Sequence, residues 1–262
     1  MAFVVPKIVL TPLLIASTTL AGRRWGALLS GWLMALPLTS GPIALFITFD
    51  LGRAAGIQTA TGVLVGATAH IAFSAGYVYG SRAGWARALG IASVAYIVTA
   101  SVVFLLVPAD PVLLFALDLA SILVGVALLR GRRPDAPLAV AKPGRWDIPA
   151  RAIVATTLVV AISALAPIIG GRAAGVIGTY PVYVSVLTTF AHRIAGPSQA
   201  IAVIRGLILG LPGFATFFLV LATTLPSWPI LAAFGLALVA AIAINVAILL
   251  VTIRQDAGAE AR

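Results

Sequence analysis

The sequence predicts an all-α bundle of transmembrane helices, and three observations lead to this fold class. Apolar residues make up 61% of the 262 residues and charged residues 9%, whereas soluble domains are close to one half apolar and one quarter charged. The mean hydropathy is +1.14, so the chain carries too little polar surface to cover a water-facing globule. Nine apolar stretches are each long enough to cross a bilayer, for which about 20 residues are needed. The expected partner of these stretches is the lipid bilayer.

The nine stretches are separated by glycine, proline or charged residues. They cover residues 3–22, 26–49, 55–79, 86–107, 111–130, 151–170, 173–191, 198–223 and 228–253. The first stretch has the length of a signal peptide, but Lys7 is its only basic residue and Arg23 and Arg24 follow the apolar run. This order of charges favours a span that is not cleaved.

The basic residues are divided unequally between the two faces that nine crossings define. Thirteen fall on one face, three fall on the other, and Arg205 lies within a span. This positive-inside bias predicts an amino terminus outside and a carboxyl terminus in the cytoplasm, as in a multi-pass protein of a bacterial inner membrane. A hairpin at 26–49 would move the basic 130–151 loop outward, so we expect this stretch to cross. The basic residues form no face of a folded domain, which argues against nucleic-acid binding.

A shift of 144 residues aligns the two ends of the chain without a gap. Eight of 41 positions are identical, with Gly26, Gly31, Pro37, Phe46, Gly52, Ile57, Gly62 and Gly66 falling on Gly170, Gly175, Pro181, Phe190, Gly196, Ile201, Gly206 and Gly210. Chance predicts about one shared glycine, whereas five are shared, which indicates a duplication. The predicted organisation is a four-span repeat at 1–107, a linker helix and basic loop at 108–148, a second four-span repeat at 149–253 and a cytoplasmic tail at 254–262.

Five crossings separate equivalent points of the two predicted repeats, so the second repeat would lie inverted in the membrane. Inverted repeats are characteristic of secondary transporters, which bind their substrates near the midplane where broken helices meet. The alternative is a duplicated, inverted bundle that transports nothing.

The second stretch is interrupted by Pro37-Leu38-Thr39-Ser40-Gly41-Pro42. Each proline lacks an N–H donor and Gly41 adds backbone freedom, so the helix should break here. The freed backbone groups must face protein or a wet cavity rather than lipid. Ser40 before Gly-Pro predicts the N-cap of a new half-helix, whose end carries partial positive charge. Together with the Thr39 hydroxyl, this would suit a polar or anionic group of a substrate.

The equivalent part of the second repeat is Gly178-Thr179-Tyr180-Pro181-Val182-Tyr183. One proline here is compatible with two interpretations. The first is a simple kink whose freed carbonyl is bonded by neighbouring side chains. The second is a true break that faces the break at Pro37–Pro42, in which Thr179, Tyr180 and Tyr183 would contribute to a substrate site.

Two charged residues, Asp118 and Arg205, lie well inside predicted spans and away from their ends. Asp118 is in the middle of the fifth stretch, where a charge costs about 2.5–3.5 kcal/mol on insertion scales. It is either a titrating coupling group or a protonated, hydrogen-bonded structural element. Arg205 lies about two turns into the eighth stretch. It either snorkels to the interface or acts as a counter-ion to Asp118 or to an anionic substrate.

The chain contains few residues of the types that catalyse reactions or bind metal ions. It has no cysteine and seven carboxylates, and it contains no HExxH, GxSxG or Walker motif. We therefore expect neither an enzyme nor a cofactor or metal site. His70, in a stretch rich in small residues, is expected to be hydrogen-bonded in the core. Gly62 and Gly66, and their equivalents Gly206 and Gly210, form GxxxG steps that predict close helix contacts.

The segment Ala174-Gly175-Val-Ile-Gly-Thr-Tyr-Pro181, followed by Gly196 and by Ala202-Val-Ile-Arg205, resembles the core of GlpM-type membrane proteins. These are small four-span bacterial proteins about half as long as this chain, and the resemblance rests on glycine and proline spacing over about forty residues of each repeat. The first repeat departs from the pattern at Thr61, which stands where the second has Arg205. The resemblance implies a fused version of a half-sized unit. It also implies a link to exopolysaccharide production, without an activity or a substrate.

The sequence therefore favours a secondary transporter of a small polar or anionic solute. Its substrate would bind between Thr39-Ser40-Gly41 and Thr179-Tyr180, with Asp118 or Arg205 providing charge coupling. The competing hypothesis is a non-transporting membrane subunit or scaffold of an envelope polysaccharide system. Neither the substrate nor the oligomeric state follows from the sequence.

Overall fold

The computed structural model describes Leu13, residues 36–129 and residues 147–260. Within these residues the regular structure is helical, with no strand. The helices are α1 Ser40–Leu51, α2 Arg53–Gly80, α3 Trp85–Leu106, α4 Pro111–Leu128, α5 Asp147–Ile169, α6 Gly171–Gly178, α7 Val182–Ala195, α8 Pro197–Thr224 and α9 Ile230–Glu260, with a 3-10 turn at Ser81–Ala83.

Five helical segments among the described residues are long and apolar enough to cross a membrane. They are Arg53–Ala83, Trp85–Leu106, Pro111–Leu128, Pro197–Thr224 and Ile230–Val251. Shorter apolar segments are Ser40–Leu51 and Val159–Ile169. This agrees with the predicted class, a helical membrane bundle. The predicted first span at 3–22 (apart from Leu13), the start of the second at 26–35 and the basic loop at 130–146 lie outside the described residues.

The helices differ from the predicted spans at two places. The stretch at 173–191 is divided into α6 and α7, which end and begin on either side of Thr179-Tyr180-Pro181. A true break, and not a simple kink, therefore interrupts this stretch. In addition, α9 continues to Glu260, past the predicted end at 253, so most of the predicted tail is helical.

The centre of the described bundle is α2, which contacts α1, α3, α4, α6 and α8. Its most apolar segment is 83% buried, whereas the corresponding segments of α3 and α9 are 22% and 17% buried. The exposed faces of the outer helices carry large apolar side chains, among them Val94, Leu105, Leu123 and Val239. Such continuous apolar surface is what lipid covers.

Several helix boundaries in the two halves of the chain are offset by the same 144 residues. Helices α2 (Arg53–Gly80) and α8 (Pro197–Thr224) both contain 28 residues, and both of their ends are related by this offset. Gly52 and Gly196 precede them with positive φ values of 90° and 85°. Only glycine adopts this conformation without strain, so the shared glycines at these positions have a physical reason.

The contact between α2 and α6 is so close that it requires glycine. A Cβ atom on Gly62 would overlap the carbonyl oxygen of Arg172, and one on Gly175 would overlap that of Thr59. Gly66 similarly faces Thr179, whose Cβ would be 2.6 Å away. The close helix contact predicted from the Gly62 and Gly66 spacing is thus confirmed, and its partner is α6.

The packing of α9 on α8 depends on a contact that the sequence did not predict. Pro212 lies inside α8 and lacks the N–H that would continue the helical hydrogen bonds. The next residue, Gly213, donates its N–H to Oδ1 of Asn245 in α9 at 3.2 Å. Asn245 is 1% exposed, and a Cβ atom on Gly213 would lie 2.6 Å from its Nδ2. A buried amide therefore joins the two helices at the proline.

Replacing Asn245 by alanine is expected to lower the free energy of unfolding by about 1–3 kcal/mol, because a buried N–H loses its acceptor. The measurement is an unfolding titration in mixed micelles, followed by circular dichroism. Thr223→Ala is the matched control, since the exposed Thr223 hydroxyl donates to Leu219 of its own helix and its loss should change stability little. Equal stability of the two variants would show that the Asn245 contact contributes nothing.

Candidate functional site

The two interrupted segments lie against each other. Helix α1 begins at Ser40, after the turn at Pro37–Thr39, and α6 ends at Gly178. The Ser40 hydroxyl donates to the Gly178 carbonyl oxygen at 3.4 Å across 138 residues of sequence. The start of α1, three residues after Pro37, therefore meets the end of α6, three residues before Pro181.

The predicted role of Ser40 as an N-cap is wrong. Thr39 occupies the cap position without a side-chain hydrogen bond, and Ser40 is the first helical residue. The Gly41 N–H donates to the Pro37 carbonyl oxygen at 2.9 Å, so the backbone turn itself satisfies this donor. Because the Ser40 hydroxyl is not needed for capping, it can bond Gly178 on the opposite segment.

The carbonyl groups released at the end of α6 are bonded inside the bundle. The Thr179 hydroxyl donates to the Gly175 carbonyl at 2.6 Å, and the Tyr96 hydroxyl donates to the Val176 carbonyl at 3.0 Å. The Gly178 carbonyl accepts from Ser40. This agrees with the expectation that a break at membrane depth must face protein rather than lipid.

The remaining predicted site residues lie at these two segments. Pro37, Gly41, Pro42 and Pro181 are buried, while Thr39 and Tyr180 are half-buried. Ser40 is 5% exposed and Thr179 4%. Tyr183 lies in the first turn of α7, and its side chain is outside the described part of the chain. The structure thus brings Ser40 of the first set against Gly178, the residue before Thr179 of the second set.

Sequence reasoning missed an aromatic cluster beside the second break. The rings of Tyr96 and Tyr180 meet edge to face with centroids 5.3 Å apart, and Ser93 Oγ lies 2.7 Å from the Tyr180 hydroxyl oxygen. The His70 ring lies 5.8 Å from Tyr96. A usable signal exists in α3, where the buried residues Ala88, Ala92, Tyr96 and Ala100 recur every fourth position and so mark one inward face.

His70 is hydrogen-bonded in the core, as expected. Its Nδ1 lies 2.9 Å from the Gly66 carbonyl oxygen, and because a carbonyl only accepts, Nδ1 carries the proton. In the neutral ring this leaves Nε2 as an acceptor.

A groove of about 470 Å³ lies between α3 and α6 and reaches Tyr180. Its walls are largely apolar and include Tyr96, Phe104 and Val176. Arg172 stands over the Phe104 ring, with its guanidinium carbon 4.6 Å from the ring centroid. The groove therefore borders the second break from the side of α3.

The hydrogen-bond partner of the Asp118 side chain belongs to α2. The Asp118 side chain faces α2 in the interior, is 0% exposed, and accepts a hydrogen bond from Thr68 Oγ1 at 2.5 Å. Oδ2 has no hydrogen-bond partner among the described residues. Arg205 is half-buried, and no ion pair joins it to Asp118 in this part of the chain. The described residues therefore give no support to the interpretation of Arg205 as a counter-ion to Asp118.

Two arginines bind carbonyl oxygens at the ends of helices. Arg53, at the start of α2, donates to the Leu225 carbonyl at 3.1 Å, just after the end of α8. Arg172, at the start of α6, donates to the Val107 carbonyl at 3.0 Å, just after the end of α3. Cations are favoured at such carboxyl ends by the helix dipole.

Contacts at the other ends of these helices form a second group. The Tyr77 hydroxyl oxygen lies 3.3 Å from His192 Nδ1, joining the end of α2 to the end of α7. The Arg193 guanidinium lies over the Trp85 ring at 5.6 Å, joining α7 to the start of α3. The first group of contacts lies at the start of α2 and the second at its end. Such a separation is expected when successive helices cross the membrane in opposite directions.

Within the described residues, no group of three or more histidine, aspartate or glutamate side chains is placed to hold a metal ion. The fold and its apolar helices define the class of a helical membrane protein. Comparison of the chain with protein-family models, curated proteins and solved structures finds no match.

Proposed function

We propose that this chain is a secondary transporter of a small polar or anionic solute in the bacterial inner membrane. The observation that carries the proposal is the meeting of the start of α1 with the interruption between α6 and α7, where the Ser40 hydroxyl bonds the Gly178 carbonyl. Secondary transporters bind solutes near the midplane, where broken helices of inverted repeats meet.

The inverted repeat of this proposal, two four-span units joined by α4, is supported by the common offset of helix ends. Helices α2 and α8 share both boundaries at 144 residues, and α1 and α7 share their last residue at the same offset, Leu51 and Ala195. In two unrelated bundles, three helix boundaries related by the same offset would not be expected. Fusion of two half-sized units, as the resemblance to GlpM-type proteins implies, would produce this pattern.

The lengths of the half-helices support a site at mid-depth. Helix α1 contains 12 residues and α6 contains 8, which correspond to about 18 Å and about 12 Å at 1.5 Å per residue. The hydrocarbon core is about 30 Å thick. Half-helices that start near one surface would therefore meet near the middle of the core.

The proposed orientation has the amino terminus outside and the carboxyl terminus in the cytoplasm. The distribution of thirteen basic residues against three supports it. Two of the three, Arg53 and Arg172, bind helix carbonyls and so have a structural reason to be on the less basic face.

The proposed solute site has backbone and hydroxyl groups from both breaks. Helices α1 and α7 both begin here, and the amino-terminal ends of helices attract anions. Thr39, Ser40 and Gly41 would contact the solute from the first break, and Thr179, Tyr180 and Tyr183 from the second. The prolines Pro37, Pro42 and Pro181 keep the two segments from closing into continuous helices. Asp118 and Arg205 are the residues proposed for charge coupling.

One observation favours the second candidate, a membrane subunit or scaffold that transports nothing. Ser40 and Thr179 are 5% and 4% exposed, and their hydroxyls are bonded to protein carbonyls. In a scaffold this closed arrangement would be permanent. In a transporter it would be one state, and another state would open the breaks to water.

Thiol labelling at position 40 separates the two candidates. The full sequence contains no cysteine, so a Ser40→Cys variant has a single reactive thiol. We expect a charged, water-soluble thiol reagent to modify the thiol of this variant in membrane vesicles, because transport requires water to reach the site.

Two matched variants calibrate the labelling. Ser227→Cys, at an exposed position, should react fastest, and Thr188→Cys, at a position that is 0% exposed, should not react. Modification of the Ser40→Cys variant at an intermediate rate supports an opening motion. A rate no higher than that of the Thr188→Cys variant would contradict transport through the breaks and favour the scaffold.

A further inference from the structure

Asp118 is an acidic side chain held where almost nothing stabilises its charge. It lies on the buried face of α4, in line with Leu114, Ile122 and Gly125. The Thr68 hydroxyl donates to Oδ1, and Oδ2 has no partner among the described residues. An ionised carboxylate with one hydrogen bond in such a place costs several kcal/mol more than a neutral acid.

The charged and titratable groups on the packed helices do not face Asp118. Helices α2 and α8 pack on α4. Arg53 bonds Leu225, and His70, two residues beyond Thr68, points to Tyr96 and Phe214 instead. Of the two tyrosines near the end of α2, Tyr77 contacts His192 and Tyr79 is exposed. Asp110, on α4 itself, caps that helix by accepting a hydrogen bond from the Leu113 N–H.

Arg205 of α8 is too distant to neutralise Asp118. Gly125 is a point of contact between α4 and α8, because a Cβ atom there would lie 3.4 Å from Cδ1 of Ile208. Arg205 precedes Ile208 and Asp118 precedes Gly125 on helices that run in opposite directions. At 1.5 Å per residue the two charged residues are separated by about 15 Å along the bundle.

A metal cation is a poor occupant of this position. Hard cations take six or more oxygen ligands. Among the described residues, the Thr68 hydroxyl is the side chain hydrogen-bonded to the Asp118 carboxyl, and no cluster of three or more histidine, aspartate or glutamate side chains is present. A proton needs one oxygen, and Oδ2 is available for it.

A cavity extends toward this carboxyl from one end of the bundle. It has a volume of about 260 Å³, is lined by Ser74 and opens at Tyr79, which is 84% exposed. Its deep end is formed by Ile71, Gly125 and Ile208. Ile71 is three residues beyond Thr68 on α2, and Gly125 is seven residues beyond Asp118 on α4, or about 5 Å and about 10 Å along the two helices. The buried side chain of Ile122 lies between Gly125 and Asp118 on α4, so apolar side chains separate the cavity from Asp118.

We propose that Asp118 is a proton-binding site, occupied as a neutral acid in the closed structure and reached from the cavity at Tyr79. Binding transfers a proton from hydronium to Oδ2 and leaves a water molecule in the cavity. A second step rests on the proposed function: the transporter is coupled to protons and not to metal cations.

Infrared spectroscopy of the purified protein in lipid tests the site directly. A neutral carboxylic acid has a C=O band that is resolved from the amide band, whereas an ionised carboxylate lacks it. At neutral pH the wild type is expected to show this band and Asp118→Asn, which has the same shape, to lose it. Asp110→Asn is the matched control and should retain it. Thr68→Val should shift the band to higher frequency, because the acid oxygen loses its hydrogen bond.

The wild type alone provides a second reading should a variant fail to fold. Its band should shift in D₂O, disappear as the pH is raised, and stay unchanged when Na⁺ is added. Absence of the band at neutral pH, or its loss on addition of Na⁺, would overturn the proposal. A band insensitive to Na⁺ combined with an unreactive thiol in the Ser40→Cys variant would keep the proton site and reject transport, so the two failures are distinguishable.

Discussion

Replacing Gly62 by alanine is expected to disrupt the packing of α2 against α6 and to lower both the thermal stability and the yield of folded protein. The added Cβ would overlap the Arg172 carbonyl oxygen and lie 2.8 Å from its carbonyl carbon. Both are backbone atoms, so no side-chain rotation relieves the clash and the helices must separate. Overpacking in a well-packed core costs about 1–3 kcal/mol and occasionally more. Gly175→Ala, on the opposite side of the same contact, should have a similar effect.

The control for this prediction is Gly90→Ala in α3. Gly90 is exposed, and its Cβ would have no neighbour within 4 Å. Alanine also favours the helix by up to about 1 kcal/mol relative to glycine. The two variants are compared by the yield of monodisperse protein on size exclusion and by thermal unfolding in detergent. Equal behaviour of Gly62→Ala and Gly90→Ala would show that α2 and α6 are farther apart than in this structure.

The same glycines show what the sequence predicts and what it leaves open. The spacing of Gly62 and Gly66 predicts a close helix contact because only small residues let backbones approach. It does not identify the partner. The partner is α6, a helix of 8 residues that hydropathy alone merges with α7 into one stretch at 173–191, since averaging over a long window hides a three-residue break.

The breaks themselves follow from local chemistry, while the bonds between them do not. Proline and glycine weaken a helix, so the sequence marks both segments as candidate interruptions. It does not decide between a kink and a break, since Pro212 lies inside the continuous helix α8. The role of Ser40 cannot be predicted in this way, because its hydroxyl can bond either the N–H groups of its own helix or a carbonyl 138 residues away. The distance between two distant segments decides that choice, and only the folded structure contains it.

The contacts of Asp118 likewise could not be predicted from the sequence. Its position in an apolar stretch predicts a paired or functional side chain, and burial is observed. The hydroxyl that binds it, Thr68, belongs to a stretch with many threonines and has no distinguishing neighbours in the sequence. Arg205 is the other charged residue well inside a predicted span. Helix register, which composition does not encode, places it about 15 Å away.

Replacing Ser40 and Gly41 together by alanine and leucine is expected to reduce solute flux in proteoliposomes to the level of empty liposomes. Ser40→Ala removes the hydroxyl that bonds Gly178. Leucine at position 41 would extend from a Cβ that is already 3.5 Å from the Pro37 ring and 3.9 Å from Phe217, so it fills the space between the first break and α8. The five long apolar helices are untouched, and membrane insertion should therefore be normal.

The control is Gly90→Ala, which lies outside the proposed site; its Cβ would have no neighbour within 4 Å, and it should leave flux close to that of the wild type. Flux is measured over a panel of polar and anionic metabolites, with and without a pH gradient, and folding by size exclusion. Normal flux in the double variant would show that the solute passes elsewhere and that the two breaks are structural. Loss of flux with normal folding, together with a reactive thiol at position 40, would require that the breaks both open to water and contact the solute, which a static scaffold does not do.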